Sequence, residues 1–151
     1  MRVVFPALTT SDLGGDDLAA YVWASLDSLA PLGAERASTK SIAGSASITV
    51  GSVFVEIEVD LQEGAAFALV GLLEDGEIPG GYYVDSNGKR VRWHLTEAVK
   101  ELRRDDLLAR LRECQKQSGV EAIRRQVDLF IEVLNATIYD LPRAMADLRS
   151  A

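Results

Sequence analysis

The stretch VFVEIEVDL, residues 53–61, alternates without a fault. Val53, Val55, Ile57, Val59 and Leu61 fall on one side of an extended chain, and Glu56, Glu58 and Asp60 fall on the other. Successive side chains of a strand point to opposite faces, so this pattern predicts a half-buried strand of an antiparallel sheet with one wet face. Upstream, Ile42, Ala46, Ile48 and Val50 keep the same period of two and lead to a turn at Gly51. Downstream, Gln62-Glu63-Gly64 turns the chain, and residues 66–73 are apolar on both parities, as a central strand covered on both sides would be. An acidic, glycine-rich connection follows, and then Tyr82-Tyr83-Val84 and Arg90-Val91-Arg92-Trp93 flank Asn87-Gly88. Asn-Gly between two strand-like runs predicts a hairpin with a type I′ turn, because both central residues of that turn need positive φ.

Helical periodicity brackets this sheet. Leu18, Val22, Leu26 and Leu29 recur at three- and four-residue spacing until Pro31 and Gly33 stop them, with Trp23 off the stripe. Before them, residues 3–5 read as a short strand and residues 9–16 as a loop ending in a helix cap. Residues 34–40 read as a polar linker. From Thr96, a good N-cap, the chain is helical. Ala98, Val99 and Leu102 make one apolar stripe, and Leu107, Leu108, Leu111 and Cys114 make another, rotated by nearly half a turn. That slip predicts a break near residues 103–106, with Asp105 capping the second segment. Val120, Ile123, Val127, Phe130, Leu134, Thr137 and Leu141 then form an unbroken stripe, and Pro142 opens a short last helix with Met145 and Leu148. The long stripe is widened by Leu129, Ile131 and Val133. Such a face favours packing within the chain, with a homodimer at its edge as the oligomer it allows. The expected fold is α+β in one domain spanning residues 1–151: an N-terminal helix, an antiparallel sheet of about five strands, and two or three C-terminal helices packed on one sheet face.

Charge is laid down unevenly. Residues 1–85 hold 13 Asp and Glu against Arg2, Arg36 and Lys40, while residues 86–151 hold 13 Lys and Arg against 10 acids. The chain as a whole carries −7. An acidic balance disfavours nucleic acid and anionic lipid surfaces and favours a basic protein partner. The longest apolar run, residues 64–73, is about half of the ~20 needed to span a bilayer. Pro6 interrupts the only apolar stretch near the N-terminus, so no secretory leader is read there. The single Cys114 allows no disulfide within the chain and fits a reducing, cytoplasmic setting.

No residue pattern fixes a reaction. His94 is the sole histidine; a catalytic base needs an orienting carboxylate, and Glu97 lies three residues on. Cys114 sits on an apolar stripe, where cysteines act as inert small hydrophobes. No phosphate-binding glycine motif, nucleophile elbow, Ca²⁺ loop or zinc ligand set is present, so neither a cofactor nor a metal is expected. Glu56, Glu58, Asp60 and Glu63 are the candidate partner-contacting acids, with Trp23, Tyr82 and Tyr83 as apolar anchors. Cross-strand pairing of the acids with Arg90, Arg92 and His94 is the competing fate. The expected function is therefore a non-catalytic interaction module of bacterial type: an immunity protein, an antitoxin-like inhibitor or a secretion chaperone. A second expectation is a small-molecule-binding or enzymatic domain, with His94, Tyr82 and Tyr83 lining a pocket between sheet and long helix. A third is a structural subunit of a larger bacterial or phage assembly.

Overall fold

The alternating stretch becomes β3 (Val53–Asp60), the middle of a five-stranded antiparallel sheet in a computed structural model that describes residues 18–37 and 45–150. Its partners follow in chain order across the sheet: β1 (Glu35–Arg36), β2 (Ser45–Val50), β4 (Ala65–Leu72) and β5 (Trp93–His94). The register sets Ser47 opposite Glu56, Glu56 opposite Leu69, and Leu69 opposite His94, so these four share one row. The helices are α1 (Leu18–Asp27), α2 (Leu95–Glu101), α3 (Asp105–Cys114), α4 (Val120–Thr137) and α5 (Leu141–Ser150). Helix α1 packs against β2 and α4, whereas α2, α4 and α5 pack against β4 and α3 lies on α2 and α4. The fold is α+β, with Ala46, Ile48, Val53, Val55, Ile57 and Val70 facing the helices inside one apolar core.

Helix α4 buries a broad face, from Ala122 and Ile123 through Val127, Phe130, Val133 and Leu134, as its stripe requires. Gln126 is buried within that face. Strand β5 pairs only with Leu69 and Val70, which leaves the start of β4 without a strand on that side. The Gln126 carboxamide fills the gap. Its Oε1 accepts from the Ala66 N–H at 2.7 Å, and its Nε2 donates to the carbonyls of Cys114 at 3.2 Å and Gln117 at 3.1 Å. A buried backbone donor left unpaired would cost about 1–3 kcal/mol, so this amide takes the role of a missing strand.

Several local expectations are corrected. The polar linker contains β1, whose Glu35 and Arg36 pair with Thr49 and Ile48. The type I′ turn is at Asp75-Gly76, where φ is +52° and +79° and Glu74 and Glu77 exchange both backbone hydrogen bonds. At Asn87-Gly88 only the glycine has positive φ. There the Asp85 carboxylate accepts from the N–H groups of Asn87 and Lys89, and the flanking ladder shrinks to a single Val84–Arg90 bridge. Helix α2 begins earlier than Thr96: His94 is its N-cap, and Glu97 reaches back to accept from the His94 N–H at 2.8 Å. The break between α2 and α3 falls where expected, at Arg103 with φ of +58°, but Asp105 is the first helical residue and not the cap. Leu61 lies beyond the end of β3 and is exposed, and Cys114 is half-buried, its thiol pushed up by desolvation. The strand read at residues 3–5, the loop at 9–16 and Ile42 lie outside the described residues.

Among the described residues, Gly71 is the one strand glycine, and its missing side chain is needed. A Cβ there would sit 2.4 Å from the Val91 carbonyl oxygen and 2.6 Å from the Phe54 ring. Gly71→Ala is expected to destabilise the protein by about 1–3 kcal/mol through overpacking, read as a lower urea midpoint.

Candidate functional site

The face of the sheet turned away from the helices carries the polar residues of the alternation. Phe54, Glu56 and Glu58 of β3 point there, with Ser45 and Ser47 of β2 beside them. The wet face expected here is covered: Glu56 is 1% and Glu58 5% exposed. Among the described residues, the connection between β4 and β5, residues 73–92, folds back across β3 and β4 and covers the two glutamates.

Arg92 fastens it. Its guanidinium carbon lies 5.3 Å from the centre of the Phe54 ring, and that ring itself fills the space that Gly71 leaves open. Its Nε donates to Glu56 Oε1 at 2.6 Å, and one terminal nitrogen reaches Glu56 Oε2 at 3.4 Å and the Pro79 carbonyl at 3.0 Å. The other terminal nitrogen donates to the carbonyls of Gly81 at 3.2 Å and Tyr82 at 3.0 Å. A guanidinium has five N–H donors, and each has a partner. The Ser47 hydroxyl lies 3.4 Å from Glu56 Oε2 and completes the row. Two further contacts hold the same connection. The Tyr82 hydroxyl donates to Glu58 Oε2 at 2.9 Å, and the Tyr83 hydroxyl lies 2.8 Å from His94 Nε2.

The predicted site residues thus separate into two groups. Glu56, Glu58, Tyr82, Tyr83 and His94 are brought together, but Glu56 and Glu58 hold the connection down and are closed to a partner in this conformation. The pairing foreseen between Arg92 and the acids is realised, as a buried ion pair and not as a strand ladder. Arg90 pairs instead with Glu97 at 2.8 Å. Glu97 meets His94 through the backbone N–H, while the imidazole is engaged by Tyr83, with Phe67 edge-on at 6.3 Å. Asp60 caps the β3–β4 turn by accepting from the Glu63 N–H at 3.0 Å, and Glu63 is exposed. Trp23 stands apart at the rim of the core, with the Arg36 guanidinium 4.4 Å above its ring and Asp27 paired to that guanidinium at 2.8 Å. Among the described residues, no group of three His, Cys, Asp or Glu is placed to hold a metal ion, and no helix is long and apolar enough to cross a membrane.

Sequence reasoning missed Gly71, Pro79 and Gly81. A glycine inside an otherwise apolar strand signals close approach of another backbone, and that signal was present at Gly71. The three carbonyls that receive Arg92, those of Pro79, Gly81 and Tyr82, carry no residue-specific signal. No protein-family model, curated protein or solved structure matches this chain.

Two measurements test this arrangement. Arg92→Met leaves Glu56 buried and unpaired, with an expected cost of about 3–5 kcal/mol in denaturant unfolding. Arg92→Met with Glu56→Leu is expected to recover part of that loss, because it removes the unpaired buried charge while the Pro79, Gly81 and Tyr82 carbonyls stay without their donor. Burial, reinforced by the Glu58 carboxylate, raises the Tyr82 phenol well above its ordinary value of 10.0. The folded state therefore holds that proton more tightly than the unfolded chain. The resulting stability is full below about pH 10 and is lost as pH rises beyond it. Tyr82→Phe is expected to shrink the loss of stability between about pH 9 and pH 11, measured by urea unfolding.

Proposed function

We propose that the chain is a non-catalytic protein-interaction module that meets a basic partner through residues 73–92. The kinds expected from the sequence, an immunity protein, an antitoxin-like inhibitor or a secretion chaperone of the bacterial cytoplasm, remain the proposed classes. One observation carries the reading. This connection is pinned on its inner side by Arg92, and it displays Tyr83 at 38% and Val84 at 48% exposure on its outer side. Connections longer than ~12–15 residues without regular structure are commonly functional, and loops held by a rigid scaffold are where binding residues concentrate. The type I′ turn adds two exposed carboxylates, Asp75 and Glu77. Tyrosine is a frequent interface anchor, and exposed charge steers encounter more than it adds affinity. The contact acids of this proposal, both on that connection, are thus Asp75 and Glu77, in place of Glu56 and Glu58.

A photo-crosslinking amino acid at Val84, introduced in the native host, is expected to capture one protein. The same group at Tyr139, an exposed residue next to the end of α4, should not capture it. With that partner purified, reversing Asp75 and Glu77 to Lys should slow association about tenfold at low salt and flatten its salt dependence. Equal capture from both positions, or an unchanged association rate, would overturn the proposal.

A further inference from the structure

Three cations converge at one end of the sheet, against the trend of a chain whose net charge is −7. Lys89 and Arg90 come from the connection, and Arg149 comes from the last turn of α5. They border a groove of about 390 Å³, with Trp93 and Leu148 as its apolar lining and Glu97 among its walls. A recess of about 10 Å³ shares Arg90, Trp93 and Arg149 with it.

The cations are already organised around a negatively charged oxygen. Glu74 Oε2 accepts from Lys89 Nζ at 2.8 Å and from Arg149 at 3.3 Å, so one oxygen bridges cations delivered by two separate elements. Arg90 is held beside them, 2.8 Å from Glu97 and with its guanidinium 5.4 Å from the Trp93 ring centre. These side chains are between 32% and 42% exposed, and ion pairs this wet contribute little and exchange readily. Glu74 sits at the base of the tight Asp75-Gly76 turn, so its carboxylate can swing out without disturbing the core.

We propose that this groove binds a small molecule with a doubly charged oxyanion, of phosphate-monoester type, at one end and an apolar body at the other. The oxyanion replaces the Glu74 carboxylate between Lys89 and Arg149, and Arg90 supplies a third set of donors. With Glu74 displaced, the three cations face only Glu97 among the described lining residues, an excess that a dianion matches and a monocarboxylate only halves. Guanidinium groups suit this task because their paired N–H donors match phosphate oxygens. The groove lies within the ~300–1,000 Å³ of ordinary small-molecule sites and is larger than a bare phosphate needs. Leu148 and the edge of Trp93 take the rest of the ligand.

Phenyl phosphate and benzoate are suitable probes, titrated into the full chain by calorimetry. Emission of Trp93 in a Trp23→Phe background gives an independent readout. Saturable binding of phenyl phosphate is expected, tighter than that of benzoate. Arg149→Gln should weaken it about tenfold or more. Glu74→Gln should tighten it, because that change removes the internal competitor while leaving the cations in place. Thermal unfolding of each variant verifies that the fold is retained. The proposal is overturned if phenyl phosphate fails to saturate both the native chain and Glu74→Gln. It is equally overturned if Glu74→Gln weakens binding, if Arg149→Gln leaves it unchanged, or if benzoate binds as tightly.

Discussion

The buried pair between Arg92 and Glu56 is the constraint on which the rest of this structure depends. Taking two charges out of water costs several kcal/mol for each ion, and their mutual attraction offsets this only when the remaining donors and acceptors are also met. Here they are met by the backbone of one irregular segment, at Pro79, Gly81 and Tyr82. The segment therefore has one low-energy place to lie. A slip by a residue would leave guanidinium donors facing carbonyls out of reach, inside a region that water does not enter. An apolar contact would tolerate such a slip. The ion pair's contribution on this view is position more than stability.

Gly71 and Phe54 make that placement sterically available. The two residues face each other in the register of β3 and β4, and the ring occupies the volume that a side chain on Gly71 would need. Phe54 then provides the surface along which Arg92 runs to reach Glu56. A strand glycine, an aromatic neighbour and a distant arginine act as one unit.

The inner half of the fold was legible because periodicity reports burial against a large, continuous core. The alternation at residues 53–61, the phase slip before Asp105 and the wide stripe of α4 all state which side chains face inward. Periodicity does not report what lies over the other face. Glu56 and Glu58 have the parity of solvent-facing residues, and they are covered by a segment far along the chain. Only the choice between a free and a paired state could be posed, and the distance in sequence hid the answer. The two Gly-containing turns illustrate a second limit. Asp75-Gly76 and Asn87-Gly88 both suit a type I′ turn, but Asp85 stands two residues before Asn87 and its carboxylate takes the turn's N–H groups instead. The start of α2 follows a similar logic. Thr96 is the better cap by residue type, yet Glu97 is three residues beyond His94, and it is this spacing that satisfies the helix N-terminus.

The uneven charge of the chain takes on a different meaning once folded. The acidic half and the basic half are joined across the connection: Glu56 to Arg92 in the interior, and Glu74 to Lys89 and Arg149 at the surface. Each of these pairs links a carboxylate before residue 85 to a cation after it, so part of the apparent dipole along the sequence is cancelled at short range. A partner would sense the charges left over. On the described part of the connection these include Asp75 and Glu77, at a turn where a carboxylate is hydrated and close to the surface. Their field is weaker than the sequence count suggests, but it is anchored to a segment that cannot drift, because Arg92 holds its inner side. A modest charge at a fixed position orients an encounter better than a larger one on a mobile loop, since steering requires the potential and the contact surface to move together.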